Sequence, residues 1–180
     1  PDILLRLVHE STTSGLADRA MDMLARGRRT RRELEQQLRP RPGRAKATQS
    51  QIREALDRLE SSGILSDEAV AEAEASARLR RGEAPARVTQ QLRRKGVAGR
   101  VATEAVADAV STDGFDEASA CRAVAAKRAR SLRGLEPQVA MRRLLAFLQR
   151  RGYNGQIARQ VAREVLSHDD ATGIADEIDD

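Results

Sequence analysis

Apolar residues recur at helical spacing along most of the chain. Leu34 and Leu38, Val88 and Leu92, and Leu144 and Leu148 each stand four apart, the interval that puts two side chains on one face of an α-helix. Ile52, Leu56 and Leu59 continue the same rhythm. Alternating strand patterns and hairpin signals are absent. The pattern predicts an all-α chain.

The pattern also repeats. Val88, Leu92, Gly96, Val97, Gly99, Val101 and Val110 correspond, at a constant offset of 56 residues, to Leu144, Leu148, Gly152, Tyr153, Gly155, Ile157 and Leu166. The basic pair before the glycine recurs with them, Arg94-Lys95-Gly96 against Arg150-Arg151-Gly152. Asp67-Glu68-Ala69 matches Asp116-Glu117-Ala118 at an offset of 49, which predicts an insertion around Arg133 to Pro137 in the later copy. The earliest copy is fainter: Leu34 and Leu38 take the places of Val88 and Leu92, and a longer loop from Arg39 to Lys46 replaces the glycine junction.

Each copy reads as three helices. The first opens near Asp18, Asp67 or Asp116, where a carboxylate can accept from free backbone amides. The second ends at Gly96 or Gly152, and Pro85 and Pro137 fall near second-helix starts. The third covers 52–59, 98–110 or 156–166. One such unit buries too little apolar surface to stand alone, whereas stacked units share faces. The expected fold is therefore three tandem three-helix repeats forming an elongated, curved array. The expected boundaries are an N-terminal extension at 1–16, repeats at 17–66, 67–115 and 116–167, and an acidic tail at 168–180.

Composition narrows the class of partner. Aromatic residues are 2% of the chain and Trp is absent, so Ala, Leu, Val and Ile must build the core. A third of the residues are charged, with a net charge of +5, and all the basic residues except Lys46, Lys95 and Lys127 are arginines. A basic chain without an evident pocket points to nucleic acid or an acidic protein surface. The single cysteine, Cys121, fits a reducing compartment, and neither a membrane span nor a signal segment is evident. A cytoplasmic location is expected. The tail carries Asp169, Asp170, Asp176, Glu177, Asp179 and Asp180 and no basic residue; it reads as a solvated end, with a DNA-mimicking screen as the alternative.

Catalytic patterns are missing. His9 and His168 stand near opposite ends of the chain, outside any metal-ligand spacing. Cys121 lies among alanines and reads as a buried structural thiol. Phosphate-binding and dinucleotide glycine loops are absent. Gly96-Val-Ala-Gly99 recurs at Gly152 to Gly155, which marks it as a helix junction. No catalytic residue, metal or cofactor is expected.

The basic clusters carry the functional signal. Arg26, Arg28, Arg29, Arg31 and Arg32 lie at one junction, and Arg78, Arg80, Arg81 and Arg87 around the next equivalent one. Arg93, Arg94 and Lys95 close the second helix of the middle repeat, and Arg150 and Arg151 that of the last. A basic group at a helix C-terminus is favoured by the helix dipole by about 0.3–1 kcal/mol, which accounts for any one of them. Recurrence at equivalent places supports binding to an extended anionic partner.

The middle repeat resembles the RecX family of recombination regulators. Leu65-Ser-Asp-Glu-Ala-Val-Ala71 is similar to the family's leucine-aspartate-acidic junction. Arg87-Val-Thr-Gln-Gln-Leu-Arg-Arg-Lys-Gly-Val97 resembles its most recognisable segment, and Arg29-Thr-Arg-Arg-Glu-Leu34 its opening repeat. Ala69-Val70 and Ile64 stand where that family commonly carries aromatic residues. The resemblance implies a non-catalytic protein that binds RecA and its filament on single-stranded DNA and inhibits its ATPase, recombinase and strand-exchange activities; a monomer is expected. Direct binding to single- or double-stranded DNA is compatible with it. Two alternatives remain open: a non-sequence-specific helical DNA-binding protein without a RecA partner, and a helical adaptor for acidic proteins.

Overall fold

Side-chain caps set where most of the helices begin. The computed structural model describes residues 2–40 and 47–175, and every regular element among them is helical. In chain order these are α1 (Asp2–Ala25), α2 (Arg31–Leu38), α3 (Gln49–Ser61), α4 (Asp67–Arg80), α5 (Pro85–Arg94), α6 (Gly99–Thr112), α7 (Glu117–Ala129), α8 (Pro137–Arg150) and α9 (Gly155–Ala175). A 3-10 turn, Arg130–Leu132, continues from α7. Thr30 and Glu33 exchange hydrogen bonds through their backbone N–H groups and side chains, and so open α2 with a capping box; Thr48 and Gln51 do the same for α3. Losing such a cap costs about 1 kcal/mol. Asp116 caps α7 by accepting from the Ser119 N–H at 2.8 Å. Glu136 caps α8 ahead of Pro137, and Asn154 accepts from the N–H groups of Gln156 and Ile157 at the start of α9.

The chain folds as the helical repeats its periodicity predicts, with differences at the helix ends. α1 passes through Asp18 without interruption, so the cap expected there is an interior turn. Gly15 does not stop it, since one glycine costs a helix only about 1 kcal/mol relative to Ala. Residues 2–16 are thus continuous with the first helix of the first repeat. At α4 the capping group is Ser66, which accepts from the Ala69 N–H at 3.0 Å. Asp67 serves another helix, accepting from the Arg31 N–H at the start of α2 at 2.8 Å. α9 runs on to Ala175, past the expected end near residue 166. Residues 41–46 of the predicted loop, with Lys46, lie outside the described residues, as do Asp176, Glu177, Asp179 and Asp180 of the acidic tail.

Two compact units divide the chain, Pro1–Ala73 with Gln91–Ala102 and Glu74–Gln90 with Thr103–Asp180. α4, α5 and α6 therefore each contribute residues to both. The first core joins Leu16 and Ala20 of α1, Leu34 and Leu38 of α2, and Ile52, Ala55, Leu56 and Leu59 of α3. The second joins Cys121 and Ala125 of α7, Ala140, Leu144 and Leu148 of α8, Tyr153, and Ala158, Val161 and Ala162 of α9. Alanines let the helices approach closely, and each fully buried leucine contributes about 1.5–3 kcal/mol.

One junction is built twice. In the first unit the Lys95 carbonyl accepts from the Thr30 hydroxyl at 2.6 Å, and Gly96 lies against the stem of Arg32. In the second the Arg151 carbonyl accepts from the Ala84 N–H at 2.9 Å, and Gly152 lies against the stem of Arg87. Both glycines are left-handed, with φ of +99° and +91°, and a Cβ at either would collide with the arginine stem. The recurring basic-basic-glycine motif is where the end of one second helix meets the start of the preceding one.

Candidate functional site

Arg26, just past the end of α1, is exposed, and the other thirteen basic residues of the clusters fall into two groups once their neighbours are in place. The first group is held within the fold. Arg31 pairs with Asp57 at 2.6 Å and with Glu60. Burial alone would lower its pKa, but the two carboxylates outweigh that and raise it. Arg78 is fixed between Glu74 at 3.3 Å and Glu83 at 3.2 Å. Glu83 also receives Arg87 at 3.2 Å, so one carboxylate holds an arginine from each of α4 and α5. Arg80 meets Ser76 at 2.8 Å and Asp113 at 3.6 Å while most of its side chain stays exposed. Lys95 stands 3.7 Å from Glu33.

Arg151 is held by oxygen and by an aromatic face. Its guanidinium donates to the carbonyls of Arg81 and Gly82 and lies 5.1 Å from the centre of the Phe147 ring. Arg128 sits 5.7 Å from the same ring, a stacking residue that charge clustering along the chain did not single out. Arg128 lies on α7 and Phe147 on α8, so no local signal marked their pairing, whereas Phe147 and Arg151 stand four apart. The Tyr153 hydroxyl donates to the Gly82 carbonyl at 3.1 Å, and burial pushes that phenol up to about 12. These contacts build the turn between α4 and α5 onto the third repeat, a structural role for Arg151.

The second group reaches solvent. Arg28, Arg32, Arg81, Arg94 and Arg150 are exposed, and none forms an ion pair with a described residue. Arg93 is exposed with its guanidinium over Gly99 at the start of α6. Arg29 is half-buried, and its Nε finds no acceptor among the described residues. Within the first unit, Arg31, Arg32 and Arg39 come together around a polar cleft of about 410 Å³. Glu35 and Asp67 line it as well, so its charge is nearly balanced and it is no strong anion trap. Arg39, at the end of α2, is a further basic group that stands outside the clusters visible in the sequence.

The single cysteine is sequestered. Cys121 is fully buried, and desolvation raises its thiol to about 11, which leaves it protonated and unreactive at neutral pH. His9 bonds Glu54 at 2.7 Å and ties α1 to α3. Among the described residues no helix is long and apolar enough to cross a membrane.

Comparison with known proteins agrees with this architecture. Residues 66–106 match the family description "RecX, second three-helix domain", and residues 116–162 match "RecX, third three-helix domain". The chain is 33% identical over 172 residues to "Regulatory protein RecX" of Halorhodospira halophila, covering 91% of this chain and 95% of that protein. It is 36% identical over 146 residues to the protein of the same name from Amycolatopsis mediterranei, covering 81% and 79%. The crystal structure of RecX from Lactobacillus salivarius shares the fold with a TM-score of 0.64 at 20% identity, over 87% of this chain and 97% of that one. A second RecX crystal structure gives a TM-score of 0.68 at 17% identity, over 88% and 75%. With matched second and third three-helix domains and a relative aligned along nearly its whole length, this chain belongs to the RecX family of regulatory proteins.

Proposed function

We propose that this protein acts in the cytoplasm on RecA, binding it and its filament on single-stranded DNA and inhibiting its ATPase, recombinase and strand-exchange activities. The observation that carries the reading is the similarity to a RecX regulatory protein along 95% of that relative's length. Family resemblance supplies the partner, and the exposed arginines supply a chemistry suited to it. Arg28, Arg32, Arg81, Arg94 and Arg150 are the proposed contacts to DNA phosphates or protein carboxylates. Arg29 and Arg93 are secondary contacts. Arg31, Arg78, Arg80, Arg87, Lys95 and Arg151 act mainly by shaping the repeats, because their charges already face internal acceptors. Inhibition then needs no chemistry. A protein bound across filament subunits resists the movement that ATP turnover demands.

The test is RecA's ATPase on single-stranded DNA, titrated with this protein at two salt concentrations. Inhibition at substoichiometric protein, relieved by salt, is expected, since displacing counterions from phosphates makes affinity salt-sensitive. A folded protein that leaves a matched RecA uninhibited refutes the proposal. The second reading, a DNA-binding protein without a RecA partner, draws on the same exposed arginines. It predicts equal affinity for naked and RecA-coated DNA.

A further inference from the structure

The third helices of the repeats bury the same pattern and differ in what they show to solvent. Ile52, Ala55 and Leu56 of α3 recur as Ala102, Ala105 and Val106 of α6 and as Ala158, Val161 and Ala162 of α9. Beside them, α3 carries Arg53, Glu54, Asp57 and Arg58, in which the charges balance. α6 carries Thr103, Glu104, Ala107 and Asp108, in which the only charges are acidic. α9 carries Arg159, Gln160, Arg163 and Glu164. These four, with Gln156, line an open groove of about 570 Å³. Its one acid is already committed. Glu164 accepts from Gln160 at 2.9 Å and from Arg122 at 3.2 Å, and those bonds hold its carboxyl below the usual range. Arg159 and Arg163 are exposed and form no ion pair with a described residue.

Both guanidinium groups are steered towards the start of α9. Arg163 Nε donates to the Arg159 carbonyl at 3.3 Å. The Arg159 guanidinium lies beside Gly155, 3.2 Å from where a Cβ would stand. That direction, usual for long side chains on a helix, takes both away from residues 168–175. The middle repeat reaches a similar arrangement by another route, because there the guanidinium beside the equivalent Gly99 belongs to Arg93 of α5. At the offset of 56 residues Arg93 becomes Gln149 and Thr103 becomes Arg159. The third repeat thus loses an arginine from its second helix and regains one from its third, over the same glycine. Arg93 and Arg159 are both exposed, so core packing does not demand the exchange.

We infer that this face of α9 binds the phosphodiester backbone of single-stranded DNA, with Arg159 and Arg163 each meeting one phosphate and Gln156 donating beside them. Residues four apart on a helix have Cβ atoms roughly 5–6 Å apart, which suits an anion whose charges repeat along a chain better than a lone carboxylate. The site rests on the regulatory reading only in placing DNA on this protein, and it lies outside the arginine clusters evident in the sequence.

Arg159→Gln combined with Arg163→Gln removes both charges and keeps good helix formers in place. Arg53→Gln is the control, since it removes an exposed charge from the position of α3 equivalent to Arg159. Fluorescence anisotropy reads binding of the full chain to labelled single-stranded DNA over a salt series, and to RecA filaments on the same DNA. Melting followed by circular dichroism checks the fold. On naked DNA the double variant should lower the slope of log affinity against log salt by about 1.4, at roughly 0.7 for each phosphate, and bind about tenfold more weakly at low salt. Arg53→Gln should leave the slope unchanged. If the double variant melts early, Arg159→Gln and Arg163→Gln are read singly, each with an expected drop of about 0.7. A wild-type slope in these variants overturns the α9 site. An equal loss in Arg53→Gln overturns it too, by making the effect one of overall charge. Weaker binding to filaments with naked-DNA binding intact overturns it in favour of a protein carboxylate at the groove, and a wild-type protein without affinity for naked single-stranded DNA overturns it outright. In each case inhibition of RecA's ATPase by the wild-type protein is measured separately, so the regulatory reading stands or falls on its own assay.

Discussion

Replacing Gly152 by alanine should destabilise the protein through two separable effects. Gly152 has φ of +91°, a region that costs an L-residue about 1–2 kcal/mol. Its new Cβ would also collide with the Arg87 stem and stand 3.4 Å from the Arg87 Cα. Arg87 cannot readily retreat, because it is part of α5 and its guanidinium is held by Glu83 at 3.2 Å. Overpacking of this kind costs about 1–3 kcal/mol. Gly63 isolates the backbone effect, since its φ is +73° but no atom lies within 4 Å of a Cβ placed there. Gly63→Ala should therefore lose only about 1–2 kcal/mol. Gly152→Ala should lie about 1–3 kcal/mol lower still, equivalent to roughly 2–12 °C in Tm for a chain of this size. Thermal and urea denaturation followed by circular dichroism measure both variants against wild type. Equal losses in the two would refute the close approach of Gly152 to Arg87, and with it the physical reason that the basic-basic-glycine motif recurs.

Three further outcomes follow from the side-chain environments. Arg94→Ala combined with Arg150→Ala should lower the slope of log affinity against log salt for single-stranded DNA by about 0.7 for each phosphate no longer neutralised while leaving Tm nearly unchanged; a stability loss with an unchanged slope would return both residues to structural roles. A thiol reagent should modify Cys121 only as fast as the protein unfolds, and rapid labelling of the folded chain would contradict its burial. Burial raises the Asp67 carboxyl, outweighing the Arg31 N–H it accepts, so the folded state takes up its proton more readily than the unfolded chain. The stability linked to that proton is fully present below the unfolded carboxyl pKa and is lost as pH rises through the raised folded value. Asp67→Asn keeps an oxygen for the Arg31 N–H, so its urea midpoint should move upward relative to wild type between pH 4 and pH 7; movement in the opposite direction would refute this.

The repeat motif, the caps and the helical periods were legible because each acts within one or two turns. Thr30 and Glu33 cap α2 across three residues, and Gly96 and Gly152 stop their helices through their own φ. The same locality hid much of the site. Arg31 is occupied by Glu60, 29 residues away, and Arg151 by the Arg81 carbonyl, 70 residues away. Along the linear chain both look as available as Arg94 or Arg150. Asp67 looks like the cap of its own helix, yet it serves α2 across 36 residues.

Sequence alone determined the helical class, the recurring basic-basic-glycine junction, the family resemblance and the basic character of the chain, since periodicity, composition and turn chemistry are properties of neighbouring residues. Only the tertiary structure decided which arginines meet acceptors within the fold and which face of α8 fills the core. Met141 and Leu145 have the same four-residue spacing as Leu144 and Leu148. Spacing cannot tell the two faces of a helix apart. Packing does, by burying Leu144 and Leu148 completely while Met141 and Leu145 keep one side in solvent.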